Sequence, residues 1–266
     1  MVQQLLYGYR RLACAALTAS SFLFHATPSF AQTVELGDWR VGGFAGAFVP
    51  NAESWSGSGA LNGIPISATG KLSLNNGWAV GGLLGYSFEK TPGLEWLNLD
   101  LELGYVSSTF SKFDGNITIP GLGNFAGPAP IDGDIRTIAG FLNVLATPFG
   151  IRQVWNNRLT PFVGIGPGLA NSEAKIRSFS VGPVSLPVNS TSSETDFAFD
   201  VIVGTDIAIL PESAPHLELG ISYEYTWIDV KHLGSGAGIV ANAGPASGHI
   251  FGMVLEYRFG GEPSDP

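Results

Sequence analysis

Between Leu97 and Tyr105 the chain alternates without exception. Leu97, Leu99, Leu101, Leu103 and Tyr105 fall on one set of positions, and Asn98, Asp100, Glu102 and Gly104 fall on the other. In a strand, successive side chains point to opposite faces, so this segment has one wholly apolar face and one that carries two carboxylates. The carboxylates are too costly for the core of a packed sandwich unless each finds a partner. The leucine face is too apolar for water. Apolar outside and polar inside is the arrangement of a sheet closed on itself within a bilayer.

The rest of the chain narrows the choice further. Hydrophobic residues make up 45% of the sequence and charged residues only 13%, high and low respectively for a water-soluble domain. Residues 1–31 read as a secretory leader, with Arg10 and Arg11 as the basic region, Leu12 to Phe24 as the apolar stretch, and Ser29-Phe30-Ala31 as a cleavage site before Gln32. Arg10-Arg11 lacks the surroundings of a twin-arginine signal, so general secretion is expected. The one cysteine, Cys14, falls inside the leader and its context is poor for lipidation, which leaves the mature chain without a disulfide, thiol nucleophile or cysteine-based metal site. Beyond the leader no uninterrupted apolar run approaches the ~18 residues of a spanning helix. Every backbone group must be paired within the protein where there is only lipid, so a closed barrel remains.

Eight segments alternate. They are Trp39–Val49, Trp78–Phe88, Leu97–Tyr105, Ile135–Ala146, Thr160–Leu169, Phe197–Ile209, Leu217–Trp227 and Gly248–Phe259. In the last, Phe251, Met253, Leu255, Tyr257 and Phe259 form an apolar wall backed by Ile250, Gly252, Val254, Glu256 and Arg258. In the first, the alternation admits either facing for Arg40, Phe44 and Phe48. The links alternate too. Lys90-Thr91-Pro92-Gly93, Pro148 to Arg158 and Leu210 to His216 are short. The segments near 51–76, 107–134, 171–196 and 229–247 are long and rich in Gly, Ser, Asn and Pro. Short turns on one side and long loops on the other suit a barrel with periplasmic turns and extracellular loops. Four structureless links of about 20 residues do not suit a soluble sandwich.

Thr160-Pro161-Phe162-Val163-Gly164-Ile165-Gly166-Pro167-Gly168 resembles the Pro-aromatic-Val-Gly-x-Gly-x-Gly strand of small OmpA-type and Opa-type outer-membrane barrels, porin-like surface proteins of Gram-negative bacteria. Leu219-Gly220-Ile221-Ser222-Tyr223-Glu224-Tyr225 is similar to their penultimate strand, and Phe251 to Phe259 to their closing strand, whose terminal aromatic serves as an assembly signal. The resemblance implies an all-β fold: an eight-stranded antiparallel up-and-down transmembrane barrel with four long extracellular loops, in the cell outer membrane. The expected division is a leader over 1–31, the barrel over 32–259 and a short tail over 260–266.

A barrel of eight strands has an interior that side chains fill. Asn98, Asp100, Glu102, Asp200, Asp206, Glu218, Glu224, Glu256 and Arg258 are expected to converge there, either as a hydrogen-bonded plug or as a narrow path for cations. Removing Arg10 and Arg11 leaves 11 basic against 22 acidic residues, a formal charge of −11. That argues against nucleic acid as a partner, and in the bore it calls for waters, protonation or bound cations. No cofactor and no dedicated metal motif is expected. The histidines beyond the leader are His216, His232 and His249. The nearest approach to a hydrolase is His249 with Ser247 and an acid, which lacks a positioned third member, so an enzyme is not expected. Trp78, Trp96, Tyr105, Tyr223, Tyr225, Trp227 and Tyr257 fit interfacial girdles. Trp55, Phe110, Phe113 and Phe125 are apolar groups within polar links. Lys112, Lys175 and Arg177 could meet lipopolysaccharide phosphates. Two functions follow: an envelope-structural or surface-interaction barrel whose loops meet lipopolysaccharide or host and surface ligands, and, as the alternative, a narrow porin for small cations or solutes. Oligomeric state leaves no mark on the sequence.

Overall fold

The computed structural model describes residues 38–61, 64–121, 123–147, 159–181, 184–210, 214–230 and 239–259. Among them every regular element is a β-strand: β1 (Asp38–Pro50), β2 (Glu53–Leu61), β3 (Ile64–Leu74), β4 (Gly77–Ser87), β5 (Leu97–Ile119) and β6 (Gly123–Ala146), then β7 (Leu159–Val181), β8 (Val184–Leu210), β9 (Ala214–Ile228), β10 (Ile239–Ala243) and β11 (Ala246–Phe259). Eight of them close a ring of antiparallel pairs in the order β1-β4-β5-β6-β7-β8-β9-β11 and back to β1. The closing pair runs from Trp39 opposite Phe259 to Pro50 opposite Gly248, which leaves no free edge along the wall. These eight coincide with the eight segments read from the sequence.

Alternation now has physical sides. Leu101 and Leu103 are 57% and 62% exposed on the outer wall, while Asp100 and Glu102 between them are buried inside. The outer wall continues through Val80, Leu84, Ile138, Leu142, Val163, Ile165, Val203, Ile221, Met253 and Leu255, all exposed. In water such a surface would be an aggregation hazard; in hydrocarbon it is the correct solvent. Aromatic pairs mark both ends of this band. Trp39 meets Tyr86 edge-on at 5.1 Å and Tyr257 meets Phe259 at 4.8 Å near the chain ends, while Trp78 meets Tyr105 at 5.3 Å at the opposite end. Trp96 sits in the turn after β4, where its indole donates to the Gly93 carbonyl. Gly93 itself has φ of +85°, a left-handed conformation that costs a residue with a side chain about 1–2 kcal/mol.

The first strand resolves with Arg40, Phe44 and Phe48 inward and Trp39 and Val41 outward. The inward glycines of β7 have a packing reason. A Cβ on Gly164, Gly166 or Gly168 would collide with Leu145, Asn143 or Phe141 of the neighbouring strand, so the Gly-x-Gly-x-Gly spacing lets large side chains of β6 fill the bore.

Three of the four long links, those near 51–76, 107–134 and 171–196, depart from the irregular loops expected of them, because most of their length is strand, and the fourth, only partly described, contributes β10. At ~3.3 Å per residue the 23 residues of β5 run about 75 Å, whereas a tilted strand crosses the bilayer in about 9–11 residues. The remainder stands beyond the membrane. There β2, β3, β10 and the distal half of β5 form a second sheet. It holds because inward positions of these hairpins carry Leu72, Phe110, Phe113, Ile117, Ile119, Ala129 and Ile131, which bury one another. Trp55 packs edge-on against Phe113 at 5.3 Å, so three of the four link aromatics singled out above turn inward, while Phe125 stays exposed. The expected leader and tail, Cys14, His232 and the link from Pro148 to Arg158 lie outside the described residues.

Candidate functional site: the interior of the barrel

All nine polar positions singled out from the sequence point into the bore: eight are buried there, and Arg258 is nearly so. The structure adds Arg40 and Asn143, and it arranges the set in layers. The lowest layer is an ion-pair network. Arg40, 3% exposed, donates from Nη2 to both carboxylate oxygens of Asp100 at 2.7 and 2.8 Å, from Nε to Asp100 Oδ1 at 3.2 Å, and from Nη1 to Glu256 Oε2 at 3.3 Å. Arg40 faces Gly85 in the register and Gly85 faces Asp100. A Cβ at Gly85 would strike both side chains, so the glycine is what lets the guanidinium reach across a strand. Arg40 also lies opposite Arg258, and Glu218 opposite Glu256. Two like-charge neighbours are relieved by crossing over: Arg40 takes Glu256, and Arg258 binds Glu218 at 2.8 and 3.0 Å while lying 3.7 Å from Glu89. Asn98 and Asp206 complete this end.

One layer higher the basic residues stop. Glu102, Asp200 and Glu224, from β5, β8 and β9, bring carboxylate oxygens within 4.8 Å of one another. Asn143 donates to Glu102 at 3.3 Å and Thr226 to Glu224 at 2.8 Å. Above them the bore turns apolar. A cavity of about 100 Å³ runs from Asn51, Glu53 and Ser247 at the rim, past Phe44, Phe48, Phe141 and Ile250, down to Glu102 and Glu224. That apolar upper half departs from the polar interior expected of a membrane barrel. At the rim, Glu53 accepts from the Ser247 N–H at 2.8 Å and its hydroxyl at 3.1 Å, tying β2 to β11. Burial pushes the Glu53 carboxyl above the usual glutamate range, and these two hydrogen bonds partly offset it.

The remaining candidates are placed as follows. Ser247 bonds Glu53 and Asn51, while His249 Nδ1 shares a 2.8 Å hydrogen bond with Tyr223, so His249 and Ser247 do not form a relay. Lys175 pairs with Glu173 at 2.7 Å and Arg177 bridges Asp132 and Asp134, which neutralises two of the three cations expected to meet phosphates.

A closed eight-stranded wall with an apolar exterior and a charged interior defines an integral outer-membrane barrel of the small kind. The chain belongs to the outer membrane protein beta-barrel domain family, whose profile matches residues 15–259, and it is a protein of the cell outer membrane. Among solved structures it is similar to Neisserial surface protein A, with 16% identity over 84% of this chain and 99% of that one and a TM-score of 0.39. It is also similar to the outer membrane protein OprG from Pseudomonas aeruginosa, with 16% identity, coverage of 83% and 96%, and a TM-score of 0.41. A third is the outer membrane protein AlkL, with 14% identity, coverage of 91% and 99%, and a TM-score of 0.42. A comparison with curated proteins returned no match.

Proposed function

We propose that this chain is an envelope-structural and surface-interaction barrel, exported by a leader over residues 1–31, cut before Gln32, with a barrel to 259 and a short tail over 260–266. The bore serves as a plug and the distal hairpins present the binding surface; catalysis plays no part. The observation that carries this reading is the Arg40 layer. One guanidinium projects from β1 into the bore and binds carboxylates of β5 and β11, filling space where a conducting pore would need an open cross-section. Support also comes from the distal sheet, because hairpins with their own buried core hold a recognition surface rigidly. Lipopolysaccharide and host or surface ligands are the partners this surface would meet. Lys112 is exposed on β5, on the distal part that would face sugar phosphates.

Deleting residues 111–133 tests this. The membrane-crossing stretches Leu97–Tyr105 and Ile138–Ala146 remain, so unboiled protein still migrates as a compact barrel. The deletion removes Phe113, Ile117 and Ile131 from the distal core, so cells displaying the variant lose adhesion to lipopolysaccharide-coated or host-cell surfaces. Undiminished adhesion would overturn the assignment of binding to this sheet. The second reading, a narrow cation path, is favoured by the acid excess in the bore, and conductance separates the two.

A further inference from the structure

The bore holds two acidic triads, and they are not equivalent. Asp206, Glu218 and Glu256 bring oxygens within 4.8 Å of one another, and so do Glu102, Asp200 and Glu224. Arg40 and Arg258 bind two members of the first triad. No arginine or lysine is paired with the second among the described residues. Glu102 lies between the lipid-facing Leu101 and Leu103, and the other two carboxylates sit close beside it, deep in the band that faces hydrocarbon. Like charges at such spacing and depth cannot all stay ionised without a counter-ion.

A second observation points the same way. Asp200 is fully buried, and neither of its carboxylate oxygens accepts a well-formed hydrogen bond, the donors beside it being the Asn143 amide and the backbone N–H groups of Gly166 and of Asp200 itself. Asn143, 1% exposed, spends its amide N–H on Glu102 and leaves Oδ1 unpartnered. Both point to the same spot, because a Cβ built on Gly166 would collide with Asn143 Oδ1 and lie 2.8 Å from Asp200 Oδ1. Unpaired buried acceptors are costly, and more so when charged. A cluster of oxygens with no cationic partner and fewer donors than acceptors on the protein side has the chemistry of a hard-cation site.

We propose that Glu102, Asp200 and Glu224, with the Asn143 carbonyl, form a calcium-binding site inside the barrel. The donor set is all oxygen, which excludes soft-metal preferences. Hydration decides between the two common hard ions. Magnesium sheds its waters reluctantly and is rarely held by an all-protein cage, whereas calcium accepts many protein oxygens in flexible geometry, so a buried set of wall carboxylates and an amide carbonyl favours calcium. The cavity above reaches Glu102 and Glu224 and connects the site to the extracellular rim. The bound ion cross-links β5, β8 and β9 at a level where no ion pair among the described residues does so, as Arg40 links β1, β5 and β11 below. This inference does not depend on what the distal hairpins recognise.

The test uses the full mature chain, refolded in neutral detergent after chelation. Calcium chloride is titrated by calorimetry, with magnesium chloride as the competing probe. Wild-type protein binds one calcium per barrel in preference to magnesium. Asp200→Asn/Glu224→Gln weakens binding by about tenfold or more, as expected when ligand charge is removed. Asp114→Asn, which removes an exposed carboxylate of the distal extension, leaves it unchanged. Thermal unfolding keeps the test decisive. In chelator the double variant melts at or above wild type, because the uncompensated charges are gone, and added calcium raises the wild-type midpoint only. No saturable binding, binding that survives the double substitution, or a double variant that melts below wild type in chelator would each overturn the site.

Discussion

Replacing Arg40 by Met should destabilise the barrel more than any other single change in the bore. The side chain is 3% exposed and makes four hydrogen bonds to Asp100 and Glu256. Counted separately at about 1.5–3 kcal/mol each these would sum to roughly 6–12 kcal/mol, but burying the guanidinium and both carboxylates has already cost much of that. What remains is the cost of leaving two buried carboxylates without their cation, about 3–5 kcal/mol. The companion variant Arg40→Met/Asp100→Leu/Glu256→Met removes the whole charge set. It should return to within about 1 kcal/mol of wild type or exceed it, because a buried ion network is easily matched by apolar packing. Urea unfolding in lipid vesicles, followed by tryptophan fluorescence and by the mobility of unboiled samples, measures both. A single variant within about 1 kcal/mol of wild type, or a triple variant no more stable than the single, would refute the claim that Arg40 holds the bore together.

Three further outcomes follow from the wall, the turn and the rim. Leu101→Arg puts a charge on the lipid face and should cost about 2–4 kcal/mol in the same unfolding assay, while Leu101→Phe is tolerated. Gly93→Val forces a β-branched residue into φ of +85° and should cost about 1–2 kcal/mol, visible as a lower urea midpoint. Glu53 is held above the usual range, so its neutral form is the one the folded rim favours. Its contribution is therefore full in acid and declines as pH rises from the usual glutamate range through the raised value. Glu53→Gln should flatten that slope in melting curves from acid to neutral pH, by a small amount because the group is half exposed.

The barrel strands are legible in the sequence where both faces are chemically extreme. Leu97 to Tyr105 sets leucines against carboxylates, and no other placement satisfies both. The first strand is not legible in that way. Its inward set of Arg40, Gly42, Phe44, Gly46 and Phe48 and its outward set of Trp39, Val41, Gly43, Ala45 and Ala47 are each mostly apolar or small, so period alone cannot orient them. Residues 53–61, Glu-Ser-Trp-Ser-Gly-Ser-Gly-Ala-Leu, read as a polar link and become β2 only because β3 and the Phe113 cluster lie alongside. Tertiary packing there overrides weak local preference. The acids of the bore stand out by periodicity, but their partners do not. Arg40 is 60 residues from Asp100 and 216 from Glu256, distances that only ring closure brings together. Asp100 thus looks equivalent to Asp200 in sequence, yet one accepts three hydrogen bonds from an arginine and the other has no arginine or lysine paired with it among the described residues. The apolar upper bore was hidden for a different reason. Phe141 and Phe48 occupy inward positions whose size is tolerated because Gly168 and Gly248 leave space on neighbouring strands.

Single-channel recording from the purified barrel in a planar bilayer tests the sealed bore most directly. With Arg40 bridging β1, β5 and β11, the wild-type protein should show no steady conductance, and Arg40→Met/Asp100→Leu/Glu256→Met, which keeps the interior filled, should stay equally silent. Large, steady, cation-selective openings from the wild-type protein, unchanged when residues 111–133 are deleted, would contradict a plugged bore and establish a cation path in its place.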